Sequence, residues 1–296
     1  MPVLTELDFD RLRDDAQVRR HLRLITPDHT KALGCYLLLL PVWLLAAVYG
    51  GYALDRAGLY PGNWLFFTLL ALAVFVPLLP IFTARRHMRR AVLDRMAETN
   101  GLDYASHDFE LKGFNAARPM LFGEDSSEAL TDLLASKEGG NAWAICHAEI
   151  RAGGEAAHSG LLYWFGRRGK SGAAVSIVPG AAAARAKLPK KMQRVATGDA
   201  AFDAAFATFA NARDEARRLL DDDFRRLLLG LAKDGAVYFH LGRNDAFLAA
   251  ARPSSFESAA DAALPRGERL RAIFDNVRAA LDTARAMRAR IDALRS

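Results

Sequence analysis

Hydrophobic residues are concentrated in two long stretches near the start of the chain, with polar sequence before, between and after them. The stretches 32–54 and 64–82 contain no Asp, Glu, Lys, Arg or His. A helix of about 20 apolar residues spans the hydrocarbon core of a bilayer. The pattern therefore predicts an N-terminal two-helix transmembrane hairpin over residues 32–84. A cleaved signal peptide is not favoured, because a long polar segment, 1–31, precedes the first stretch.

Basic residues lie on the two outer sides of the predicted hairpin, whereas its turn, 55–63, contains only Arg56. Lys and Arg are enriched in the cytoplasmic loops of membrane proteins, so both termini and the soluble domain are expected in the cytoplasm. The many Ala and Arg residues are typical of a GC-rich bacterial genome, which indicates the bacterial inner (cytoplasmic) membrane. The outer basic residues are Arg11, Arg13, Arg19, Arg20, Arg23, Lys31, Arg85, Arg86, Arg89, Arg90 and Arg95.

Beyond a predicted juxtamembrane helix, 85–100, the pattern changes to short segments that are rich in aromatic and branched residues. Segments of this kind bounded by glycines predict β-strands. We expect an antiparallel meander of three strands, and then a separate hairpin. The meander strands are 142–150, 158–165 and 173–178, the hairpin strands are 235–241 and 246–251, and a first strand is expected within 102–111.

Other parts of this soluble domain, 101–264, have helical patterns. A capping pattern that begins at Asp125 predicts a helix over 124–137. Residues 212–231 predict another helix, and 114–122 is compatible with a short helix or an extended segment. Consecutive strands with helices at the ends favour an α+β fold with a mainly antiparallel sheet and flanking helices.

The C-terminal segment, 265–296, predicts one long amphipathic helix. Its apolar residues recur at alternating spacings of three and four, which is the pattern of a coiled-coil seam. The helix either packs on its own domain or joins a second copy of the chain into a homo-oligomer. The seam consists of Leu270, Ile273, Val277, Ala280, Ala284, Met287, Ile291 and Leu294.

The sequence contains no recognisable catalytic constellation. The segment 169–171 ends like a phosphate-binding loop, but Trp164 stands where that pattern needs its first glycine. Cys146 and His147 are neighbours on a predicted strand, so their side chains point to opposite faces and cannot act as nucleophile and base. The histidines lack metal-ligand spacing. We therefore predict no catalytic residue, no cofactor and no metal.

Residues 156–198 contain no Asp or Glu but several Lys and Arg. Three interpretations are open: a solvated loop balanced by acidic residues such as those at 221–223, contact with anionic lipid headgroups, and nucleic-acid binding. Basic residues near a membrane surface are attracted to anionic lipid. No nucleic-acid-binding motif accompanies the stretch. Its basic residues are Arg167, Arg168, Lys170, Arg185, Lys187, Lys190, Lys191 and Arg194.

A series of apolar and glycine positions is shared with a known family. These residues are Gly101-Leu102-Asp103-Tyr104, Phe114, Leu121-Phe122, Ala148-Glu149, Ser159-Gly160-Leu161, Phe202, Phe206 and Phe209, together with the juxtamembrane helix. In these positions the chain resembles the bacterial membrane family called domain of unknown function 3137. The resemblance implies a shared fold and supplies no catalytic residue. The chain departs from the family pattern at 124–140, where its segment is longer.

We therefore expect a membrane-anchored binding or assembly module at the cytoplasmic face, without an identifiable catalytic site. Its expected partners are the lipid bilayer, anionic lipid headgroups, and a protein partner or a second copy. The alternative is a membrane-bound enzyme that acts on lipid or cell-envelope precursors. A deep polar pocket that joins Glu149 with His147 or His158 would favour the enzyme. Transport is not favoured, because neither predicted span contains an ionisable residue.

Overall fold

The computed structural model describes residues 1, 3–24, 41–42, 45, 48–50, 52, 56, 58, 89–136, 142–167, 174–251, 255–258, 260–261 and 264–293. The helices are α1 (Glu6–Asp14), α2 (Ala16–Leu24), α3 (89–99), α4 (Phe114–Phe122), α5 (Ala200–Ala205), α6 (Arg213–Leu219), α7 (Asp222–Ala232) and α8 (Arg266–Ala293). The strands are β1 (Asp103–Ala105), β2 (Ser126–Ser136), β3 (Trp143–Ala152), β4 (Glu155–Gly166), β5 (Val175–Pro179), β6 (Gln193–Arg194), β7 (Phe206–Ala210), β8 (Val237–Leu241) and β9 (Asp245–Ala250).

The strands of the described residues form one sheet in the order β1-β2-β3-β4-β9-β8-β5-β7-β6, and all neighbouring pairs are antiparallel. This arrangement confirms the predicted α+β fold with a mainly antiparallel sheet and flanking helices. The predicted three-strand meander is wrong in its third strand, because the β8–β9 hairpin lies between β4 and β5. β9 occupies the free edge of β4 from Leu161↔Ala250 to Gly166↔Asp245, so β5 pairs with β7 and β8 instead.

The segment predicted as a helix over 124–137 contains the strand β2 instead. β2 pairs with β3 along almost its whole length, with one bulge after Thr131. Pairing with a long neighbouring strand outweighs the local capping pattern, since strand formation depends strongly on tertiary context. Ser126, which belonged to that pattern, donates its hydroxyl to the Gly123 carbonyl at 2.6 Å. The helix prediction for this segment was therefore wrong.

The helix predicted over 212–231 is divided into α6 and α7. Leu220 leaves helical geometry at the end of α6. Asp221 then caps α7, where its carboxylate accepts a hydrogen bond from the backbone amide of Phe224 at 2.8 Å. The expected first strand within 102–111 is only the short β1, and 114–122 is the helix α4.

Side chains on the two faces of the sheet belong to two different cores. The larger core contains Ile145 and Tyr163, together with residues of α1, α2, α3, α6, α7 and α8. The smaller core contains Cys146 and Leu162, which point to the other face, and α4 covers it. Successive strand residues alternate between the faces of a sheet, which explains the division. The sheet therefore lies between two unequal helical layers.

The apolar seam of the C-terminal helix lies in the larger core of the same chain. Its residues from Leu270 to Ile291 are at most 2% exposed. Leu294 lies outside the described residues. Within the described part of the chain, the seam is thus covered without a second copy.

The two predicted membrane spans, 32–54 and 64–82, lie mostly or wholly outside the described residues. Among the residues that are described, no helix is both long and apolar enough to cross a bilayer. The hairpin therefore stays a prediction. Most of the segment 25–88, which contains both predicted spans, is likewise outside the described part. The same holds for Arg168 and Lys170.

Gly160 in β4 provides a test of the sheet packing. A Cβ atom at this position would contact the carbonyl of Ala250 and lie 2.8 Å from Cα of Ala251, so Gly160→Ala forces backbone apart. We expect the free energy of unfolding to fall by about 1–3 kcal/mol. The control is Gly230→Ala in α7, where nothing lies within 4 Å of the added Cβ. That change should raise helix stability by about 0.5–1 kcal/mol. Denaturant unfolding of both variants checks the pair, and an unchanged Gly160→Ala midpoint would contradict the packing.

Candidate functional site

Residues before and after the segment 25–88 pack against one another. Leu12 of α1 and Val18 of α2 are buried in the larger core, which also contains Val92 and Leu93 of α3. α1 also contacts α8, because the Phe9 ring lies 5.3 Å from the Phe274 ring in an edge-to-face arrangement. The chain segments on both sides of 25–88 are therefore parts of one folded unit.

Asp15 joins the helices that flank the segment 25–88. It accepts hydrogen bonds from the amides of Gln17 and Val18 at the start of α2. Its other oxygen accepts from Nε and Nη2 of Arg95 in α3, at 3.2 and 3.0 Å. Burial alone would raise the pKa of Asp15, but the hydrogen bonds from Val18, Arg95 and Gln17 outweigh burial and lower it. Asp15 is thus ionised in the folded chain and fixes α2 against α3.

A cluster of polar side chains holds the first described residues of α3 against the sheet. It consists of Arg89, Arg90, Tyr104 and Asp132, and we call it the Asp132 cluster. The Asp132 carboxylate is 2% exposed, accepts a hydrogen bond from the Tyr104 hydroxyl at 2.8 Å, and lies 2.7 Å from Nη2 of Arg89. Burial and the Asp132 charge raise the pKa of Tyr104, while the charges of Arg89 and Arg90 lower it. The buried Asp132 carboxylate thus contacts both the Tyr104 hydroxyl and the Arg89 guanidinium.

The bulge in β2 gives Asp132 an unusual backbone conformation. Its φ angle is 56°, in the left-handed region that residues other than glycine rarely adopt. Its backbone amide leaves the β2–β3 ladder and donates to the Ser106 carbonyl at 3.1 Å. Backbone strain of this kind persists only where the surrounding structure fixes it, and it is concentrated at functional positions. The sequence pattern gave no sign of this cluster.

The two ends of the sheet are distinguished by the two ends of β2. One end contains Ser126 and the β3–β4 turn, because Ser126 pairs with Ala152, and we call it the Ser126 end of the sheet. Arg89, the first described residue of α3, lies beside Asp132 near the middle of β2. After α3 the chain enters β1, where Asp103 pairs with Ala135.

The predicted basic stretch does not form one compact surface. Arg185 and Lys187 lie at the Ser126 end, where they contact Glu155 and Glu124. Arg167 lies at the opposite end of β4, roughly 35 Å away at a rise of about 3.3 Å per residue. It is buried, and it donates to the Gly242 carbonyl at 3.1 Å.

Three further members of the stretch, Lys190, Lys191 and Arg194, are exposed. Within the described residues, they have no carboxylate partner. The expected acidic neighbours at 221–223 contact other arginines, namely Arg225, Arg226 and Arg290. Acidic residues at the Ser126 end thus lie beside two members of the stretch, whereas 221–223 do not, and the three interpretations of the stretch stay open.

The polar side chains that could form an enzyme site are divided between the two faces of the sheet. His147 pairs with Leu161, whose side chain is in the larger core, and its Nε2 lies 3.6 Å from Glu149. His158 pairs with Ile150, whose side chain is in the smaller core, and its ring packs near Phe122. Burial raises the pKa of the Cys146 thiol, so this cysteine is not an activated nucleophile. The described residues do not join these groups in one pocket.

Two cavities lie away from all of these groups. One of about 200 Å³ between α4 and β2 is lined by Phe109, Leu111, Phe114, Leu130 and three polar residues. Another of about 380 Å³ lies where α6 and α7 meet, and Arg217, Asp221 and Arg225 line it. Among the described residues, no group of three His, Cys, Asp or Glu side chains could hold a metal ion.

The fold is that of an α+β protein with one large antiparallel sheet, and part of the chain matches a family. Residues 158–288 match the family described as "Protein of unknown function (DUF3137)", which confirms the resemblance over that range. Ser159-Gly160-Leu161 and the three phenylalanines of α5 and β7 lie inside the match. The other residues that carried the resemblance precede it.

Comparisons with individual proteins add little to the family match. No curated protein matches the chain. One solved structure with a similar arrangement is the "crystal structure of the mycobacterial trehalose monomycolate transport factor A, TtfA". It is 13% identical, covers 70% of this chain and 92% of its own, and superposes with a TM-score of 0.39.

Buried histidines make the stability of the fold depend on pH. Burial lowers the pKa of His158 and of His240 to about 4, from an ordinary 6.5. Below pH 6.5 the unfolded chain binds protons that the folded chain does not, so the free energy of unfolding should fall between pH 6.5 and about 4. A shift of one pKa unit corresponds to about 1.4 kcal/mol. We expect His158→Phe to flatten this dependence in denaturant titrations.

The second buried histidine supplies the comparison for this titration. His240→Phe should flatten the same part of the pH dependence, because burial lowers the pKa of His240 as well. Equal slopes in the wild-type chain and in His158→Phe would contradict the lowered pKa of His158.

Proposed function

We propose that this protein is a membrane-anchored binding or assembly module, with its folded domain and both termini at the cytoplasmic face of a bacterial inner membrane. The observation that carries the proposal is the shared core of the segments that flank 25–88. Leu12 and Val18 precede these residues, Val92 and Leu93 follow them, and all four are buried together.

Segments that pack in one core must lie on the same side of a bilayer. The chain between them can then cross the bilayer only an even number of times. Two predicted spans, 32–54 and 64–82, meet this condition, whereas a single span does not. The packing therefore supports a hairpin whose two ends are on one side. The excess of Lys and Arg on those ends supports the cytoplasmic side.

Exposed side chains of the first predicted span support its insertion in lipid. Five large residues of that span are described, and they are 53–76% exposed. Apolar residues exposed on one segment mark a surface that lipid or another protein covers. The two tyrosines lie toward the predicted turn, where aromatic rings favour the membrane interface. These residues are Val42, Leu45, Val48, Tyr49 and Tyr52.

Binding or assembly is favoured over catalysis by the positions of the polar groups. His147 and Glu149 share one face, and His158 lies on the other, so the pocket expected of an enzyme is not formed by them. Asp15 and Asp132 instead hold secondary-structure elements together. These arrangements support a rigid domain that presents surfaces at the membrane.

Membrane insertion is tested by placing charges in the first predicted span. Val42→Asp with Leu45→Asp should weaken insertion, since each Asp near the centre of a span costs about 2.5–3.5 kcal/mol. The measurement is the fraction of full-length protein that stays in the membrane pellet after alkaline carbonate extraction. The control is Val3→Asp with Leu7→Asp, at residues that are 65% and 58% exposed and precede the span.

The expected result is a wild-type chain and a control that both stay in the pellet, and a span variant that is partly extracted. Extraction of the wild-type chain would contradict membrane anchoring. A reporter within 55–63 that faces the same side as reporters at both termini would contradict the hairpin.

A further inference from the structure

We propose that Arg89 and Arg90 bind the phosphate of an anionic lipid headgroup, and that Asp132 and Tyr104 position Arg89. The inference rests on the proposed membrane anchoring and adds the chemistry of a partner. It concerns the Asp132 cluster and does not involve the basic stretch after β4.

The Asp132 cluster has more positive than negative charge. It contains two guanidinium groups and one carboxylate, and Arg89 contacts that carboxylate. Arg90 is half-buried, and in the described part of the chain it has no ion-pair partner. Among the described residues of α3, Asp94 forms no ion pair with Arg90, and Glu98 contacts Arg95. A partly buried charge without a partner is unfavourable, so the cluster favours an added anion.

The cluster also has more hydrogen-bond donors than acceptors. The Nε atoms of Arg89 and Arg90 are both buried, and neither has an acceptor among the described residues. Arg89 uses Nη2 for Asp132, and its side chain is still 23% exposed. Guanidinium groups match the oxygens of a phosphate group with short, charge-assisted hydrogen bonds. A phosphate would therefore supply acceptors as well as the missing negative charge.

The position of the cluster favours a phosphate that belongs to lipid. Seven residue steps separate Phe82, the last residue of the second predicted span, from Arg89. A continuous helix over these positions, as the sequence predicts, would extend roughly 10 Å at about 1.5 Å per residue. The headgroup layer on each side of the hydrocarbon core is about 5–8 Å thick. Arginine side chains extend several ångströms from the backbone, so headgroup phosphates are within their reach.

Asp132 and Tyr104 act as positioning residues in this proposal. Asp132 is fixed by the β2 bulge and by the Tyr104 hydroxyl, and it holds one side of the Arg89 guanidinium. A guanidinium that is already oriented loses less conformational freedom when it binds a phosphate. The cluster would thus select lipid by charge and geometry at the point where α3 meets the sheet.

The test compares lipid binding by the full-length protein in neutral detergent, measured by native mass spectrometry. The probes are short-chain phosphatidylglycerol and phosphatidylcholine. Removing one basic residue near anionic lipid weakens attraction by about fivefold. We therefore expect Arg89→Gln with Arg90→Gln to lower the preference for phosphatidylglycerol over phosphatidylcholine by about 25-fold, because two losses of about fivefold multiply.

The matched control is Arg226→Gln with Arg278→Gln, which removes the same charge from arginines paired elsewhere. It should retain the wild-type preference. Arg90→Gln alone, which breaks no ion pair, should give about a fivefold loss if the double variant does not fold. Arg90→Lys keeps the charge and should keep most of the preference.

Equal losses in both double variants would overturn the site, because they would show a general effect of charge. An unchanged preference in Arg89→Gln with Arg90→Gln would also overturn it. Displacement of phosphatidylglycerol by inorganic phosphate would overturn lipid as the occupant. If the protein resists carbonate extraction but shows no preference for phosphatidylglycerol, this inference fails while membrane anchoring stands.

Discussion

Leu12 and Val18 are buried in the same core as Val92 and Leu93, although residues 25–88 separate the two pairs in sequence. This contact constrains everything between them, because both ends of that segment start from one folded body. Burying a Leu or Val side chain contributes about 1.5–3 kcal/mol. The Arg95–Asp15 ion pair is partly exposed to solvent and contributes little, because solvent screens the attraction between the charges. Apolar packing therefore decides where the N-terminal helices lie, and the ion pair fixes how α2 and α3 face each other.

The sheet has two different ends, and α3 meets it between them. Arg89, the first described residue of α3, reaches the sheet at Asp132, near the middle of β2. Arg185 and Lys187 lie at the Ser126 end, each beside a carboxylate. The opposite end contains the buried Arg167 and the turn between β8 and β9. The C-terminal helix packs in the larger core, on one face of the sheet.

Elements defined by local signals were predictable from the sequence. The β8–β9 hairpin follows from two short apolar runs around a polar turn, and the long C-terminal helix follows from its periodicity. The capping pattern near Asp125 is a local signal and predicts a helix at β2. The observed strand instead forms by pairing with β3, which the local sequence does not show. The Asp132 cluster was missed for a similar reason: Tyr104 and Arg89 meet Asp132 across 28 and 43 positions of sequence. Arg167 and Arg185 belong to one basic stretch of the sequence, but the fold places them at opposite ends of β4.

The most direct test of the account is a cross-link between the N-terminal and C-terminal helices in native membranes. Phe9→Cys and Phe274→Cys replace rings that lie 5.3 Å apart, in a chain whose Cys35 and Cys146 are changed to Ala. A short bis-maleimide is added, and the chain is then cut at a protease site inserted within 55–63. The account predicts that the two fragments stay joined, whereas the fragments of a chain with Phe9→Cys and Lys187→Cys, which lie on opposite faces of the sheet, separate. Fragments that separate in the Phe9–Phe274 pair, from protein that is still in the membrane, would contradict the shared core.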